Sequence, residues 1–348
     1  MGQLNLMRIA VVAPCWFEVP PPAYGGIEWL CSWLVEGLIK RGHDVTLVAA
    51  GQNKTGARFL QTYPTPPSYR LGESMPEVVQ AAAALDLLAG VEVDIVHDHT
   101  LAGPLLAAGR RVPTVITAHG PVTGELGQYF RYLGRHIHMV AISEAQMKSA
   151  PDLPWEGRVY NAIDVDTYPF VEEKDDYIVF LGRMSPEKGA DLAIEAATAA
   201  GLPIILAGKN IEPFEKEYFR ERVAPKLSER VIWVGEADAP KKKALLSKAR
   251  CMIFPIQWEE PFGIVMAEAL ACGTPVVALR GGSVPELIED GVTGFIFDEP
   301  ASLVKGIRES KSLSAAACRD RAKKLFDVDR MAEGYESVYR RVLERQPT

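Results

Sequence analysis

The stretch Met252-Ile253-Phe254-Pro255-Ile256-Gln257-Trp258-Glu259-Glu260-Pro261-Phe262-Gly263-Ile264-Val265-Met266-Ala267-Glu268-Ala269-Leu270-Ala271-Cys272-Gly273 reads as one strand, one loop and one helix. Its opening apolar run is the pattern of a strand buried on both faces. Small and apolar residues then predict a helix that runs to Ala271 and is stopped by Gly273. Glu260 stands at the mouth of that helix and Glu268 inside it, two turns further on, a rise of about 12 Å. A nucleotide sugar has that reach, from its sugar past the diphosphate to the ribose, so the pair suggests a donor-binding site. Burying Glu268 among Ile264, Val265, Ala267, Ala269 and Leu270 costs free energy unless hydrogen-bond donors meet the carboxylate.

The same alternation of short apolar runs with helical patterns extends over nearly the whole chain, which predicts α/β architecture around parallel sheets. A first series has strands at 7–13, 45–49, 94–97, 114–117, 137–142 and 158–160, with a helix over 27–40 stopped by Gly42 and close helical packing at Ala81 to Ala84. A second series begins with Tyr177 to Leu181. It continues with helix 190–200, strand 203–207, helix 214–227, strand 231–234, helix 240–249, strand 252–255, and strands 276–278 and 295–297. The polar, strand-poor segment Asp164 to Asp176 between the series reads as a linker. With 348 residues, two domains of about 150 to 180 residues are expected. Two doubly wound domains joined by one linker predict a cleft, since open parallel sheets bind ligands at the carboxyl ends of their strands.

Hydrophobic content of 48% and charged content of 24% describe a soluble globular protein. Thirty-eight basic against 45 acidic residues give a net charge of −7, which argues against broad binding to nucleic acid or to anionic lipid. Cys15, Cys31, Cys251, Cys272 and Cys318 form no CxxC pair and lie in apolar or small-residue surroundings. They are expected to be buried reduced thiols, which fits a cytoplasmic location with peripheral membrane attachment left open. The segment before Met7 is too short and polar for a signal peptide, and no apolar run approaches a membrane span.

Further constellations sit at predicted strand ends. The first strand leads into Pro20-Pro21-Pro22-Ala23-Tyr24-Gly25-Gly26-Ile27-Glu28, which is not GxGxxG and supports no dinucleotide fingerprint. Adjacent Gly25 and Gly26 at a helix start can still bring backbone amides to a phosphate or sugar, or simply make a tight loop. Gly182-Arg183-Met184-Ser185-Pro186-Glu187-Lys188-Gly189 puts two cations between a strand and a helix, where they can hold a diphosphate and stabilise charge on its departure. His97-Asp98-His99 and Thr117-Ala118-His119-Gly120 gather histidines at strand ends. A metal at His97 and His99 would lack a specified third ligand, whereas His119 is placed to touch a sugar. The pairs Asp164/Asp166 and Asp327/Asp329 read as coincidental DxD matches. Tyr129 to Arg135 is an aromatic-basic patch that an ordinary helix explains.

Together and in order, these elements resemble a family-4 retaining glycosyltransferase of the GT-B fold. The most specific of them is Glu260-Pro261-Phe262-Gly263-Ile264-Val265 through Glu268 to Ala278. Support comes from Tyr24 to Glu28, Thr117 to Gly120, Asn161 to Asp164, Gly182 to Gly189, Gly281-Gly282 with Pro285-Glu286, and Gly291 to Gly294. The resemblance implies two Rossmann-like doubly wound domains facing a central cleft: residues 1–165 on the acceptor side, 166–330 binding the nucleotide sugar, and a helix in 331–348 crossing back. It implies that Glu268 binds the donor ribose, Arg183 and Lys188 the diphosphate, and Glu260 with Phe262 and the amides of Gly263, Ile264 and Val265 the transferred sugar. Gly25 and Gly26 would meet the phosphate side, and His119 the sugar near the reacting carbon, so that His119, Glu260, Arg183 and Lys188 carry the catalysis.

The expected reaction moves a hexose from a nucleotide diphosphate sugar, such as UDP-glucose, to a hydroxyl acceptor, with neither metal nor cofactor and with retention of configuration. The acceptor is a small molecule, glycan or lipid-linked sugar, and no nucleic acid or transmembrane segment is involved. An epimerase-like enzyme that transfers nothing, or a catalytically silent sugar-nucleotide-binding protein, would use similar residues.

Overall fold

The computed structural model describes residues 6–22 and 25–345. The chain divides into two compact units, Met1–Ala162 with Val328–Thr348, and Ile163–Asp327. In the first, β1 (Arg8–Val12), β2 (Asp44–Ala49), β3 (Arg58–Gln61), β4 (Ile95–Asp98), β5 (Thr114–Thr117), β6 (His138–Ala141) and β7 (Trp155–Arg158) form one parallel sheet in the order β3-β2-β1-β4-β5-β6-β7. In the second, β8 (Ile178–Leu181), β9 (Ile204–Ala207), β10 (Val231–Trp233), β11 (Cys251–Phe254), β12 (Val276–Leu279) and β13 (Gly294–Phe297) are also all parallel, in the order β10-β9-β8-β11-β12-β13. Each sheet winds outward from its first strand and then restarts on that strand's other side. The restart places the loops after β1 and β4, and those after β8 and β11, at a topological switch point, where parallel sheets open a crevice. These are two Rossmann-like units of the GT-B fold.

The core of the first unit joins Ile9, Val11, Leu47 and Ile95 of the sheet to Leu34 and Leu38 of helix Gly26–Lys40 and to Tyr335, Val338, Tyr339 and Val342 of helix Val328–Glu344. Gly37 permits the contact between those helices, since a Cβ there would lie 2.8 Å from that of Ala332. In the second unit Phe180, Leu206, Ile253 and Val277 pack against Ala193, Ile194 and Ala197 of helix Ala190–Ala200. All five cysteines are buried and unpaired. Among the described residues no helix is long and apolar enough to cross a membrane.

Three elements depart from the sequence reading. The last strand of the first unit is Trp155–Arg158 and not 158–160. Strand β3 lies at the sheet edge with half-exposed residues, so it lacks the apolar run that marks a buried strand. The helix expected over 214–227 breaks into an α-helix Pro213–Tyr218, a π turn Phe219–Val223 and a 3-10 turn Ala224–Lys226. Pro225 has no N–H to donate and its ring crowds the preceding turn, so the regular ladder cannot pass it.

Candidate active site

In the second unit Gly263 adopts φ +70° between the β11 loop and helix Ile264–Ala271. A Cβ there would lie 2.8 Å from Met266 Cε, 3.2 Å from Phe254 Cζ and 3.3 Å from Glu260 Cγ, in a backbone conformation that L side chains rarely adopt. The turn carries Glu260 to the mouth of the helix, where its Oε2 accepts from Lys188 Nζ at 2.5 Å and from Trp258 Nε1 at 3.2 Å. The Lys188 ammonium also lies 5.0 Å from the Trp258 ring centroid, a cation–π contact. Backbone contact locks the loop after β8 to this one: Gln257 N–H donates to Glu187 O at 2.8 Å, and a Cβ on Gly189 would come within 2.3 Å of Pro255 O. Residues 72 apart in sequence therefore meet as a cation and an acid.

Glu268, on the same helix, is buried to 3% exposure. Its Oε1 accepts from the Tyr168 hydroxyl at 2.8 Å and from Lys242 Nζ at 2.5 Å, while its Oε2 is buried with no partner. Burial, with the neighbouring carboxylate adding to it, drives the Tyr168 phenol far above its ordinary pKa and keeps it a donor. The carboxylate is thus anchored through one oxygen and presents an unused acceptor through the other.

Arg183 is placed differently. Its guanidinium lies against Glu187 at 3.1 Å and Glu215 at 3.7 Å, with its side chain 47% exposed. Lys188 and Glu260 are brought together, whereas Arg183 is held by acids of its own loop and of helix Pro213–Tyr218. Phe262 is buried, packs edge-on to Phe326 at 5.8 Å and accepts the Ser283 hydroxyl on its carbonyl at 2.8 Å, so its ring anchors the loop. The amides of Ile264 and Val265 open the helix, where N–H groups lack intrahelical acceptors. Asp166 is paired with Lys323 at 2.7 Å and Asp329 with Lys40 at 2.9 Å, which gives these DxD carboxylates structural partners.

In the first unit Gly25 caps helix Gly26–Lys40 at φ +142°, and a Cβ there would lie 2.9 Å from Pro21 and 3.1 Å from Glu28 Oε2, while Gly26 has open space beside it. Tyr24 lies outside the described residues. Glu28 is buried under this loop, and burial pushes its carboxyl up to about 7. At the carboxyl ends of β4 and β5 the histidines form a chain. Tyr339 hydroxyl lies 2.7 Å from His97 Nδ1, His97 Nε2 lies 2.8 Å from Thr117 Oγ1, and Thr117 Oγ1 lies 2.7 Å from the Tyr335 hydroxyl. Beside it His99 Nδ1 meets His119 Nε2 at 2.9 Å.

Burial pushes the His119 imidazole down to about 4 and those of His97 and His99 well below the usual range, so all three are neutral. His99 and His119 line a cavity of about 190 Å³ with Trp16, Glu77, Thr100 and Leu126. Glu77 frames it by accepting Trp16 Nε1 at 3.0 Å and Leu101 N–H at 3.2 Å. Among the described residues no three His, Cys, Asp or Glu side chains cluster as a metal site would require.

Tyr168, Lys242 and Glu77 carry no mark in the sequence, and Glu28 is marked only as the last residue of the Gly25-Gly26 stretch. Lys242 lies in a run of three lysines that reads as a solvated helix face, and Tyr168 lies in the polar segment taken as a linker. No local pattern marks either as a partner of Glu268.

Known proteins resemble this chain in sequence and in fold. The family described as "Glycosyl transferases group 1" matches residues 168–325, and "Glycosyltransferase Family 4" matches residues 24–166. A glycogen synthase of Mycobacterium tuberculosis is 26% identical over 407 residues, covering 98% of this chain and 97% of that protein. Among solved structures, a glycosyltransferase involved in avilamycin A biosynthesis superposes with a TM-score of 0.73 at 24% identity, covering 98% of this chain and 99% of that one. Anabaena HepE, solved in complex with UDP and glucose, superposes with a TM-score of 0.72 at 19% identity, over 96% of this chain and 100% of that one.

Proposed function

The chain belongs to the family-4 glycosyltransferases of the GT-B fold, and from that premise we propose that it moves a hexose from a nucleotide diphosphate sugar, with UDP-glucose the first donor to test, to a hydroxyl acceptor with retention of configuration. The observation that carries the reading is Glu268, whose Oε1 is fixed by Tyr168 and Lys242 while Oε2 is buried and unused. A buried anionic acceptor with a free oxygen suits a ribose hydroxyl, and a charge-assisted bond of this kind contributes about 1.5 to 3 kcal/mol.

Glu260 lies at the other end of the same short stretch and is suited to the hydroxyls of the transferred sugar. Lys188, paired with Glu260, is suited to exchange that partner for a phosphate oxygen. Arg183, half exposed on the same loop, supplies a second cation. With two cations to stabilise the departing nucleotide diphosphate, metal independence is part of the proposal. Retention follows if the acceptor attacks the face the diphosphate leaves, with the leaving oxygen taking the acceptor proton. His119 is suited to hydrogen-bond the sugar as a neutral imidazole. The choice of UDP-glucose draws on the UDP and glucose held by the Anabaena protein of like fold.

The test is a thermal-shift panel of nucleotide diphosphates and their sugars, followed by product analysis with the donor that stabilises most. A ligand at a hundredfold its Kd adds about 2.7 kcal/mol. Release of UDP or transfer of the hexose, undiminished by EDTA, is expected. An isomerised sugar still joined to UDP would support the epimerase-like alternative, and binding without turnover the silent one. Glu268→Gln should weaken donor binding by about tenfold or more; unchanged affinity would remove Glu268 from its assigned role.

A further inference from the structure

Two buried imidazoles of the first unit share one hydrogen bond, His99 Nδ1 to His119 Nε2 at 2.9 Å, with their rings stacked at a centroid distance of 5.2 Å. Each ring has one nitrogen left, and both of these, His99 Nε2 and His119 Nδ1, are buried without a partner beside the cavity of about 190 Å³. His99 itself is 7% exposed. Its ring is fixed from behind by His97, 3.9 Å away between centroids, and His97 is held at both nitrogens by Tyr339 and Thr117.

Two neutral imidazoles joined through one nitrogen each have only two arrangements of their protons. If His99 Nδ1–H donates, His119 carries its proton on Nδ1 and His99 Nε2 is a lone pair. If His119 Nε2–H donates, His99 carries its proton on Nε2 and His119 Nδ1 is a lone pair. Either way the pair that lines the cavity keeps one N–H and one lone pair unused, never two of the same kind. A substrate with adjacent hydroxyls can meet both at once, one hydroxyl donating and the other accepting. An aliphatic or singly polar group would leave one buried nitrogen unsatisfied, at a cost of about 1 to 3 kcal/mol.

We propose that His99 is a positioning residue: through its bond to His119 it ties the tautomer of His119 to its own, so that the pair always keeps one donor and one acceptor free, and the pair together selects a polyhydroxylated substrate group in this cavity. The proposal rests on the glycosyl-transfer reading only for the identity of that group as a sugar. The tautomer coupling stands on the two rings alone.

The test uses the full chain with ¹⁵N-labelled histidine and two-bond ¹H–¹⁵N correlation spectra, which report the protonation of each ring nitrogen. His99→Phe keeps an aromatic ring over His97 and removes the bond; His99→Asn keeps a polar group able to donate to or accept from His119 Nε2. In the wild type the two rings should show matched neutral tautomers, His119 protonated on Nδ1 to the same extent as His99 is on its own Nδ1. In His99→Phe the shifts of both His119 ring nitrogens should change as Nε2 loses its partner, and His99→Asn, which again supplies one, should bring them back towards those of the wild type.

Hydrolysis of UDP-glucose should follow the same order, with kcat down about tenfold to a hundredfold in His99→Phe, donor KM within about threefold, and partial recovery in His99→Asn. An unchanged His119 spectrum in a folded His99→Phe protein overturns the coupling. So does an equal loss of kcat in both variants while the spectrum stays that of the wild type. If the wild type turns over no nucleotide sugar while the tautomer shift occurs, the glycosyl-transfer reading fails and the dyad survives.

Discussion

The phenol of Tyr168 donates to Oε1 of Glu268 at 2.8 Å across 100 residues of sequence, and Lys242 Nζ meets the same oxygen at 2.5 Å. Two donors on one oxygen fix the carboxylate plane before any ligand arrives, so the free Oε2 need not be ordered during binding. Tyr168→Phe removes one anchor and leaves the Lys242 pair in place. Donor affinity should fall about threefold to tenfold, the worth of one hydrogen bond, with the fold intact. Isothermal titration with UDP-glucose reads this directly, and an unaltered Kd would show that Lys242 alone orients the acid.

Lys188 and Glu260 make a second prediction because their side chains are only 17% and 10% exposed. Lys188→Met leaves the Glu260 carboxylate with the Trp258 indole N–H as its side-chain donor, and removing one partner of a buried pair costs about 3 kcal/mol. The double variant Lys188→Met with Glu260→Gln has no stranded charge and should regain most of that stability, yet it should remain slow in turnover. Thermal melts and donor hydrolysis on the four proteins of the cycle separate the two effects. Recovery of turnover in the double variant would mean that neither residue handles the donor.

The strands were readable because both sheets are parallel and buried on two faces, so β8, β9, β11 and β12 appear as unbroken apolar runs. Strand β3, at an edge, has no such run, and Pro225 broke a helix whose apolar spacing continued past it. At the candidate site, Glu260, Arg183 and Lys188 stand out because glycines and strand ends mark their loops, and Glu268 because it is an acid inside an apolar helix. Their partners do not. Lys242 and Tyr168 reach Glu268 through the packing of separate elements, and Glu215 meets Arg183 in the same way. Local pattern does not encode which of several nearby acids a cation takes.

Gly208 yields a prediction about the loops themselves. It adopts φ +156°, and a Cβ at that position would stand 1.7 Å from Gly182 O, the first residue of the loop that carries Arg183 and Lys188. Backbone cannot withdraw there, since Gly182 N–H donates to Ala207 O at 3.1 Å and Met184 N–H to Lys209 O at 2.9 Å. Gly208→Ala must therefore push two loops apart or shift β8 against β9. A loss above about 3 kcal/mol is expected, near the upper end for single substitutions. Gly201→Ala is a control at another positive-φ glycine, at 75°, with no atom within 4 Å, and it should cost only about 1 kcal/mol. Urea melts of the two variants compare them; equal costs would show that the close approach relaxes freely.

Glu28 makes the stability of the protein depend on pH in a sense opposite to that of a salt-bridged acid. Its carboxyl is 3% exposed, and burial, against hydrogen bonds from its own and the Phe17 backbone N–H, raises its pKa from 4.5 to about 7. Below pH 4.5 the group is protonated in both folded and unfolded chains, and its contribution is fully present. As pH rises through 7 the unfolded chain ionises first, so that contribution is lost, by about 3 kcal/mol in all. The neighbouring Glu77 is raised in the same direction, chiefly by burial, so Glu28→Gln should reduce the slope without abolishing it. Melts of wild type and variant between pH 5 and 8 give the comparison. The wild type should lose up to about 1.4 kcal/mol per pH unit more than the variant, and parallel curves would show that Glu28 is ionised within the fold.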